Sequence, residues 1–252
     1  MTARYGAATR NAERRVRRYV RERRQLLGEL VDEVFVPLCS EPGAEAEVDW
    51  GEATVVIAGV ATKVHLFGMR ACFSGACFVQ AHTREMRQAF LEGHVAALEF
   101  FGGVFSLIRY ANLGSAVKRV LRGRRRVETD RFVALRSHYL YESSFTDGQG
   151  RCPREGGIEG DVGRFRRAYL APVPEVGSLA ELDERIAAAC ITDLRGTIRG
   201  RRQTVGEALG QELDLLRPLP GEAFDTRGHA TPRVDSKSLA TVRQNQYSLP
   251  VR

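Results

Sequence analysis

The sequence predicts an α/β protein built on a mixed sheet, and three observations lead there. Three strand-like runs follow one another closely between residues 46 and 80. A segment of helical period comes next, "TREMRQAFLEGHVAALEFFGG". A short apolar run, Val104 to Ile108, then meets the turn-forming residues Asn112, Gly114 and Ser115. Closely spaced strands with short turns imply an antiparallel meander, and the helix separates that meander from the later strand.

Each element has its own signal. The meander comprises Ala46 to Ile57, Lys63 to Cys72 and Ala76 to Gln80, with turns at Gly59 and at Ser74-Gly75. In the helix, Met86, Phe90, Val95, Leu98 and Phe101 form the buried stripe, Thr83 is the expected cap, and Gly102-Gly103 end it. A strand over 104–109 and a helix from about Ser115 to Leu121 follow, then the basic connector "RGRRRVETDRF". "FVALRSHYLYESSF" reads as a further strand, and "REGGIEGDVGRFRRAYL" as a glycine-rich turn that becomes a helix, closed by Pro172 and Pro174. The expected order is β-β-β-α-β-α-β-α.

Outside this block the signals are simpler. Residues 13–34 place Val16, Tyr19, Val20, Leu26, Leu27, Leu30, Val31 and Val34 at helical spacing, opposite Arg14, Arg15, Arg18, Arg21 and Arg24. That arginine face is either solvated or laid against phosphates. Residues 178–191 and 204–216 read as two helices joined by a basic link. The tail from Pro218 reads as loose until "SLATVRQNQYSLPVR", a strand, a turn and the opening of another strand. A strand left without a partner creates the expectation that sequence is missing there. The predicted division is a helical segment over 1–38, a core over 39–175, a helical extension over 176–218, and a linker with the start of a small β domain over 219–252.

A hydrophobic content of 43% in 252 residues supports a real core, and a charged fraction of 27% argues against wholesale disorder. The net charge is +7, and the only lysines are Lys63, Lys118 and Lys237, so the basic charge is nearly all arginine. Arginine forks onto phosphate oxygens in a bidentate way that lysine does not, which points towards a polyanion such as nucleic acid. A GC-rich genome would give the same bias. Cys39, Cys72, Cys77, Cys152 and Cys190 are odd in number and scattered, which argues against a disulfide framework and for a reducing compartment. No apolar run approaches the roughly 20 residues that span a bilayer, and no signal-peptide block is evident, so a cytoplasmic protein without membrane contact is expected.

Three hairpin-linked strands, a helix and a further strand are the order of a ribonuclease-H-like sheet. In that architecture acidic groups from the first strand, the end of the fourth strand and a late helix converge on divalent metals. At the first place stands Asp49, in "AEVDWGEATVVI", where an aspartate is unfavourable in a strand and costly to bury unpaired. At the third stands Glu159, in "EGGIEGDV", at the start of a helix. Taken alone, Asp49 is read equally well as an exposed strand residue, and Glu159 better as a first-turn acid that suits the helix dipole. The second place is position 111, an alanine.

"VDWG", "FLEGHVAALEFFGGVFSLIRYANLGSAVKRVLRGR", "SHYLYE" and "GGIEGDVGRFRRAYLAPVP" together resemble the catalytic core of the IstA-type insertion-sequence transposases, from about Pro37 to Pro218. These belong to the superfamily of DDE transposases and retroviral integrases. By that resemblance Asp49 matches the first catalytic aspartate, Glu159 the catalytic glutamate, and position 111 the second aspartate. The family pattern there is Asp-Asn-Leu-Lys, and this chain has Ala-Asn-Leu-Gly. A lysine expected shortly before the glutamate is replaced by Glu155. Glu52, Glu155 and Asp161 are considered as substitutes for the missing acid, and none is in a suitable direction.

The resemblance implies DNA cleavage and strand transfer with Mg²⁺ or Mn²⁺ held at Asp49 and Glu159, two metals activating the attacking oxygen and stabilising the leaving one. An Ala111 methyl offers no donor, so impaired or absent catalysis is expected. The alternative is a non-catalytic DNA-binding or transposition-inhibiting remnant, and a third reading is a nuclease using two acids and one metal. Implied partners are transposon-end and target DNA, further copies of the chain, and an AAA+ helper ATPase. Arg122, Arg124, Arg125, Arg126, Arg164, Arg166 and Arg167 flank the expected site and are the candidate phosphate contacts. The departures from the family pattern are those expected of a truncated, decaying copy; deliberate inactivation would explain Ala111 but not Glu155.

Overall fold

The computed structural model describes residues 40–111, 117–120, 126–146, 157–198, 200–228, 232–242, 244–248 and 250, together with Tyr19 and Arg23. The chain divides into two units, Met1–Leu38 and Cys39–Arg252. In the first unit the two described residues are helical and one turn apart, with Arg23 Nε donating to the Tyr19 hydroxyl at 3.3 Å. The rest of the segment over 13–34 lies outside the described residues.

The second unit is built on a mixed sheet. β1 (Glu45–Ile57), β2 (Val60–Ala71) and β3 (Cys77–His82) form an antiparallel meander. The β1–β2 turn consists of Ala58 and Gly59 alone, at φ 49° and 79°, the paired positive angles of a two-residue hairpin. Ile57 therefore pairs Val60, and counting back from the turn pairs Asp49 with Gly68 and Glu47 with Arg70. α1 (Arg87–Phe101) carries the chain over the sheet to β4 (Leu107–Ala111), which runs parallel to β1. The strand order is β3-β2-β1-β4-β7, with β7 (Glu142–Thr146) parallel to β4, and β8 (Glu175–Val176) pairs with the far end of β1.

Several local expectations are corrected. α1 begins after Met86 with no side-chain cap, so Thr83 does not cap it. Gly102, at φ 69°, does end it. The helix expected from about Ser115 to Leu121 is replaced, over its described residues, by strand β5 (Val117–Val120), paired antiparallel with β6 (Arg126–Glu128). β-branched Val117, Val120 and Val127 favour an extended ribbon, and a four-residue apolar pattern could not distinguish the two. The strand expected across "FVALRSHYLYESSF" is first a helix, α2 (Asp130–Tyr139), and then β7. Phe132, Leu135 and Tyr139 are buried at helical spacing, Thr129 Oγ1 accepts the Phe132 amide at 3.3 Å, and Leu140 at φ 57° stops the helix.

The sheet has an apolar core on each face. α1 and α2 cover one face, packing Phe90, Leu98, Phe101, Phe132 and Leu135 against Val48, Phe67, Met69, Ile108 and Tyr110. α3 (Gly157–Tyr169) and α4 (Leu179–Asp193) cover the other, packing Ile158, Val162, Phe165, Leu182 and Ile186 against Val55, Val64, Leu66 and Val79. α4 also shields the edge strand, since Asp183 Oδ1 accepts the Ala81 amide at 2.9 Å. α5 (Val205–Leu213) opens with a reciprocal cap between Thr204 and Glu207. β9 (Leu239–Val242) and β10 (Asn245–Ser248) form a hairpin. Among the described residues Cys72, Cys77 and Cys190 are free thiols, and no helix is long and apolar enough to cross a membrane.

Candidate functional site

Side chains alternate along a strand, so β1 divides its residues between the two faces. Ala46, Val48 and Trp50 join the aromatic core beneath α1. Glu47, Asp49 and Gly51 turn towards α3, as the contacts of Glu47 and Gly51 with that helix show. β4 divides in the same way. Ile108 and Tyr110 are buried beneath α1, while Arg109 lies on the α3 face, where it forms a two-pronged ion pair with Glu45 at 2.7 and 3.1 Å. Val48 pairs Tyr110 in the parallel ladder. The next residues along the two adjacent strands are Asp49 and Ala111, both in the register of the α3 face.

α3 approaches this face because two glycines leave room. A Cβ at Gly51 would stand 2.4 Å from Val162 Cγ1, and one at Gly68 would stand 2.7 Å from Val162 Cγ2. Val162 therefore fills a hole that exists only because both strands lack a side chain there, which supplies a packing reason for the glycine of "VDWG". The same Gly68 Cβ would stand 3.3 Å from Ile158 Cδ1. The first turns of α3 are thus pressed onto the Asp49–Gly68 pair. Glu159 belongs to the first turn, directly after Ile158, and its side chain lies outside what the structure describes.

Asp49 is half-buried, and its Oδ1 accepts the Trp50 amide at 2.8 Å. Two residues earlier, Glu47 is 7% exposed and its Oε2 accepts the Ile158 amide at 3.3 Å. Burial raises the Glu47 pKa from its ordinary value, against the pull of Arg70. Arg70 lies 3.8 Å from Glu47 Oε2, and its Nε stands 2.6 Å from Asp161 Oδ2. Sequence reasoning missed Glu47, Arg70 and Gly68, although the two-residue turn fixes their positions opposite or beside Asp49. Glu52, on the other face, pairs with Lys63 at 2.7 Å, and Asp161 is engaged by Arg70 and Arg164. Glu155 lies outside the described residues.

The arginine candidates separate. Arg122, Arg124 and Arg125 lie outside the described residues, and Arg126 begins β6 with its side chain undescribed. Arg164 is held on α3 by Asp193 at 2.8 Å and Asp161 at 3.3 Å, and its pKa is raised chiefly by the Asp193 hydrogen bond. Arg166 donates to the Glu52 carbonyl at 3.0 Å, and Arg167 is exposed. The three helix residues therefore share α3 with Glu159, and Arg164 is already engaged by carboxylates.

Hard divalent cations take carboxylate oxygens as ligands. Asp49 offers such an oxygen and the side chain at 111 does not. Among the described residues no three His, Cys, Asp or Glu side chains are placed to hold a metal ion together. An alanine supplies no oxygen to a metal, so Asp49 is the one described carboxylate of the expected acid set.

A meander followed by strands parallel to β1, with helices on both faces, is the ribonuclease-H-like architecture of the integrase superfamily. A chain in the cryo-electron-microscopy structure of the simian T-cell lymphotropic virus intasome with a PP2A regulatory subunit shares the fold, at a TM-score of 0.52 and 14% identity over 78% of this chain and 61% of that one. By sequence the chain is similar to insertion-sequence transposases. It is 32% identical over 219 residues to the transposase for insertion sequences IS1326/IS1353 of Pseudomonas aeruginosa, covering 86% of this chain and 42% of the relative. It is 30% identical over 217 residues to a transposase of Aminobacter aminovorans, with the same coverages. It is 25% identical over 213 residues to the transposase for element IS21 of Pseudomonas aeruginosa, covering 84% and 54%. The chain thus spans about half the length of these relatives or less. No family model matches it.

Proposed function

We propose that this chain is a DNA-transposition protein of the transposase class whose phosphodiester chemistry is impaired by Ala111, leaving DNA holding as what the chain as written does. One observation carries the reading: Val48 and Tyr110 pair on adjacent parallel strands, so the backbone continues from that pair to Asp49 and Ala111, and Glu159 belongs to the first turn of the helix over the Asp49 strand. The proposed core is 39–175, extended by the helices of 176–218, with 1–38 and 219–252 as parts of flanking DNA-binding and β domains. Asp49 and Glu159 are the proposed catalytic and metal-holding acids, and the second acid is absent.

The proposed DNA contacts are Arg122, Arg124, Arg125, Arg126, Arg166 and Arg167, with Arg164 able to join only by exchanging Asp193 for phosphate. Such contacts position DNA without reading its sequence. Proposed partners are transposon-end and target DNA, further copies of the chain and a helper ATPase. When bound, Mg²⁺ or Mn²⁺ would supply charge stabilisation at the cleaved phosphate. This chain's own residues hold and orient the DNA.

The test is cleavage and strand transfer of labelled DNA bearing the ends of a related insertion sequence, with Mg²⁺ or Mn²⁺, comparing the chain as written with Ala111→Asp. Activity in Ala111→Asp alone is the expected result. Activity in the chain as written would overturn the role given to position 111. Silence from both, with salt-sensitive DNA binding retained, would leave the non-catalytic reading in its place.

A further inference from the structure

α3 begins over a strand that carries Glu45, Glu47 and Asp49 on the same side, and only Asp49 belongs to the expected acid set. Glu47 is buried to 7% exposure beneath the helix start. A helix leaves its first amides without intrahelical acceptors, and these are ordinarily satisfied by a side chain just before the helix. Here the acceptor comes from 111 residues away in sequence: Glu47 Oε2 takes the Ile158 amide at 3.3 Å. Arg70, on the neighbouring strand, stands 3.8 Å from the same carboxylate oxygen and 2.6 Å from Asp161 Oδ2. The chain of contacts runs from β1 through β2 and back to α3, meeting the helix at Ile158 and at Asp161. Glu159 lies between those two points.

From this geometry we infer that Glu47, with Arg70, is a positioning residue that fixes the first turn of α3, and so the backbone carrying Glu159, against the Asp49 strand. The inference rests on the transposase reading for its catalytic meaning, while the clamp itself stands on the contacts alone. Burial beneath α3 and these two partners also explain why Glu47, though on the correct face, does not replace the acid missing at 111. The glycine hole at Gly51 and Gly68 sets how closely α3 lies on the sheet, and the clamp sets where its first turn sits along it.

The test is amide hydrogen exchange on the full chain as written and on its Glu47→Ala and Glu47→Gln variants, with urea unfolding in parallel. Glu47→Ala is expected to lose protection about tenfold or more at Ile158 to Asp161, while Phe165 to Tyr169 and the urea midpoint hold. Glu47→Gln, which retains an acceptor oxygen, is expected to recover most of that local protection. Unchanged protection in Glu47→Ala, or a loss spread evenly along α3, would overturn the inference. In an Ala111→Asp background, Glu47→Ala is further expected to lower the rate of DNA cleavage at unchanged KM, with Glu47→Gln restoring it. An Ala111→Asp chain that never cleaves would count against the transposase reading, and the exchange pattern would still decide the clamp.

Discussion

The two faces of the sheet do different work, and β4 shows it within two residues. Tyr110 faces α1, fully buried, with its hydroxyl 2.9 Å from His94 Nε2 and sharing a hydrogen bond of 3.0 Å with Tyr141. His94 Nδ1 lies 2.7 Å from the Phe90 carbonyl, and Phe90, Phe132 and Phe145 surround the group. The other face also has an apolar cluster, under α3 and α4, but where α3 begins it presents small residues and charges: Gly51 and Gly68, the Glu45–Arg109 pair, Glu47, Arg70 and Asp49. One face is dry, aromatic-rich packing, and the other combines aliphatic packing with carboxylates beneath the start of a helix. Position 111 ends β4 directly after Tyr110, the last residue of that strand in the aromatic core.

The largest expected effect lies on the aromatic face. Phe90→Ala removes a fully buried ring that meets Phe67, His94, Tyr110 and Phe132, and should cost about 3–5 kcal/mol in urea unfolding. A cost below 1 kcal/mol would break the division between the faces. Next comes the pH response of His94, which burial pushes down to about 4 from an ordinary value of 6.5. The unfolded chain takes up this proton first, so the stability contributed by neutral His94 is full above pH 6.5 and falls as pH drops towards 4, by about 3 kcal/mol. Burial raises the pKa values of Glu47, Asp183 and Glu212, which gives these groups the opposite slope. The measurement is accordingly the difference between the chain and His94→Gln across that window, and a pH-independent difference would contradict the assignment.

On the α3 face, Gly51→Ala places a methyl group 2.4 Å from Val162 and should cost about 1–3 kcal/mol, with Val162→Ala in the same chain recovering part of it. Failure of the second change to help would show that the glycine hole does not set the helix. The smallest effect is at the hairpin that fixes the register. Ala58 sits at φ 49°, where an L-residue with a Cβ is strained, so Ala58→Gly should stabilise by up to about 1 kcal/mol in thermal unfolding.

Much of this was legible in sequence because the signals were periodic. The meander, the helix ending at Gly102 and the helix carrying Glu159 follow from alternation, helical spacing and glycine punctuation. The ribbon at Val117 was missed because four residues hold too little periodicity, and α2 was missed because its aromatic and β-branched residues favour strands until Thr129 and the tertiary contacts decide. In the site, Asp49 and the alanine at 111 are candidates from the strand order first and the family resemblance second. Glu47, Arg70 and Gly68 were missed because the second strand was started at Lys63 rather than Val60, which hid the register that the Ala58-Gly59 turn imposes. Asp183 holding the edge strand was not legible, since its partner Ala81 is 102 residues away.

The central claim is that position 111 completes an acid set with Asp49 and Glu159. Mn²⁺ titration followed by electron paramagnetic resonance tests it most directly, on the chain as written, Ala111→Asp, and Ala111→Asp with Asp49→Asn. The account predicts that Ala111→Asp gains Mn²⁺ affinity of about tenfold or more over the chain as written, and that Asp49→Asn removes the gain. Equal affinity in all three chains would contradict it.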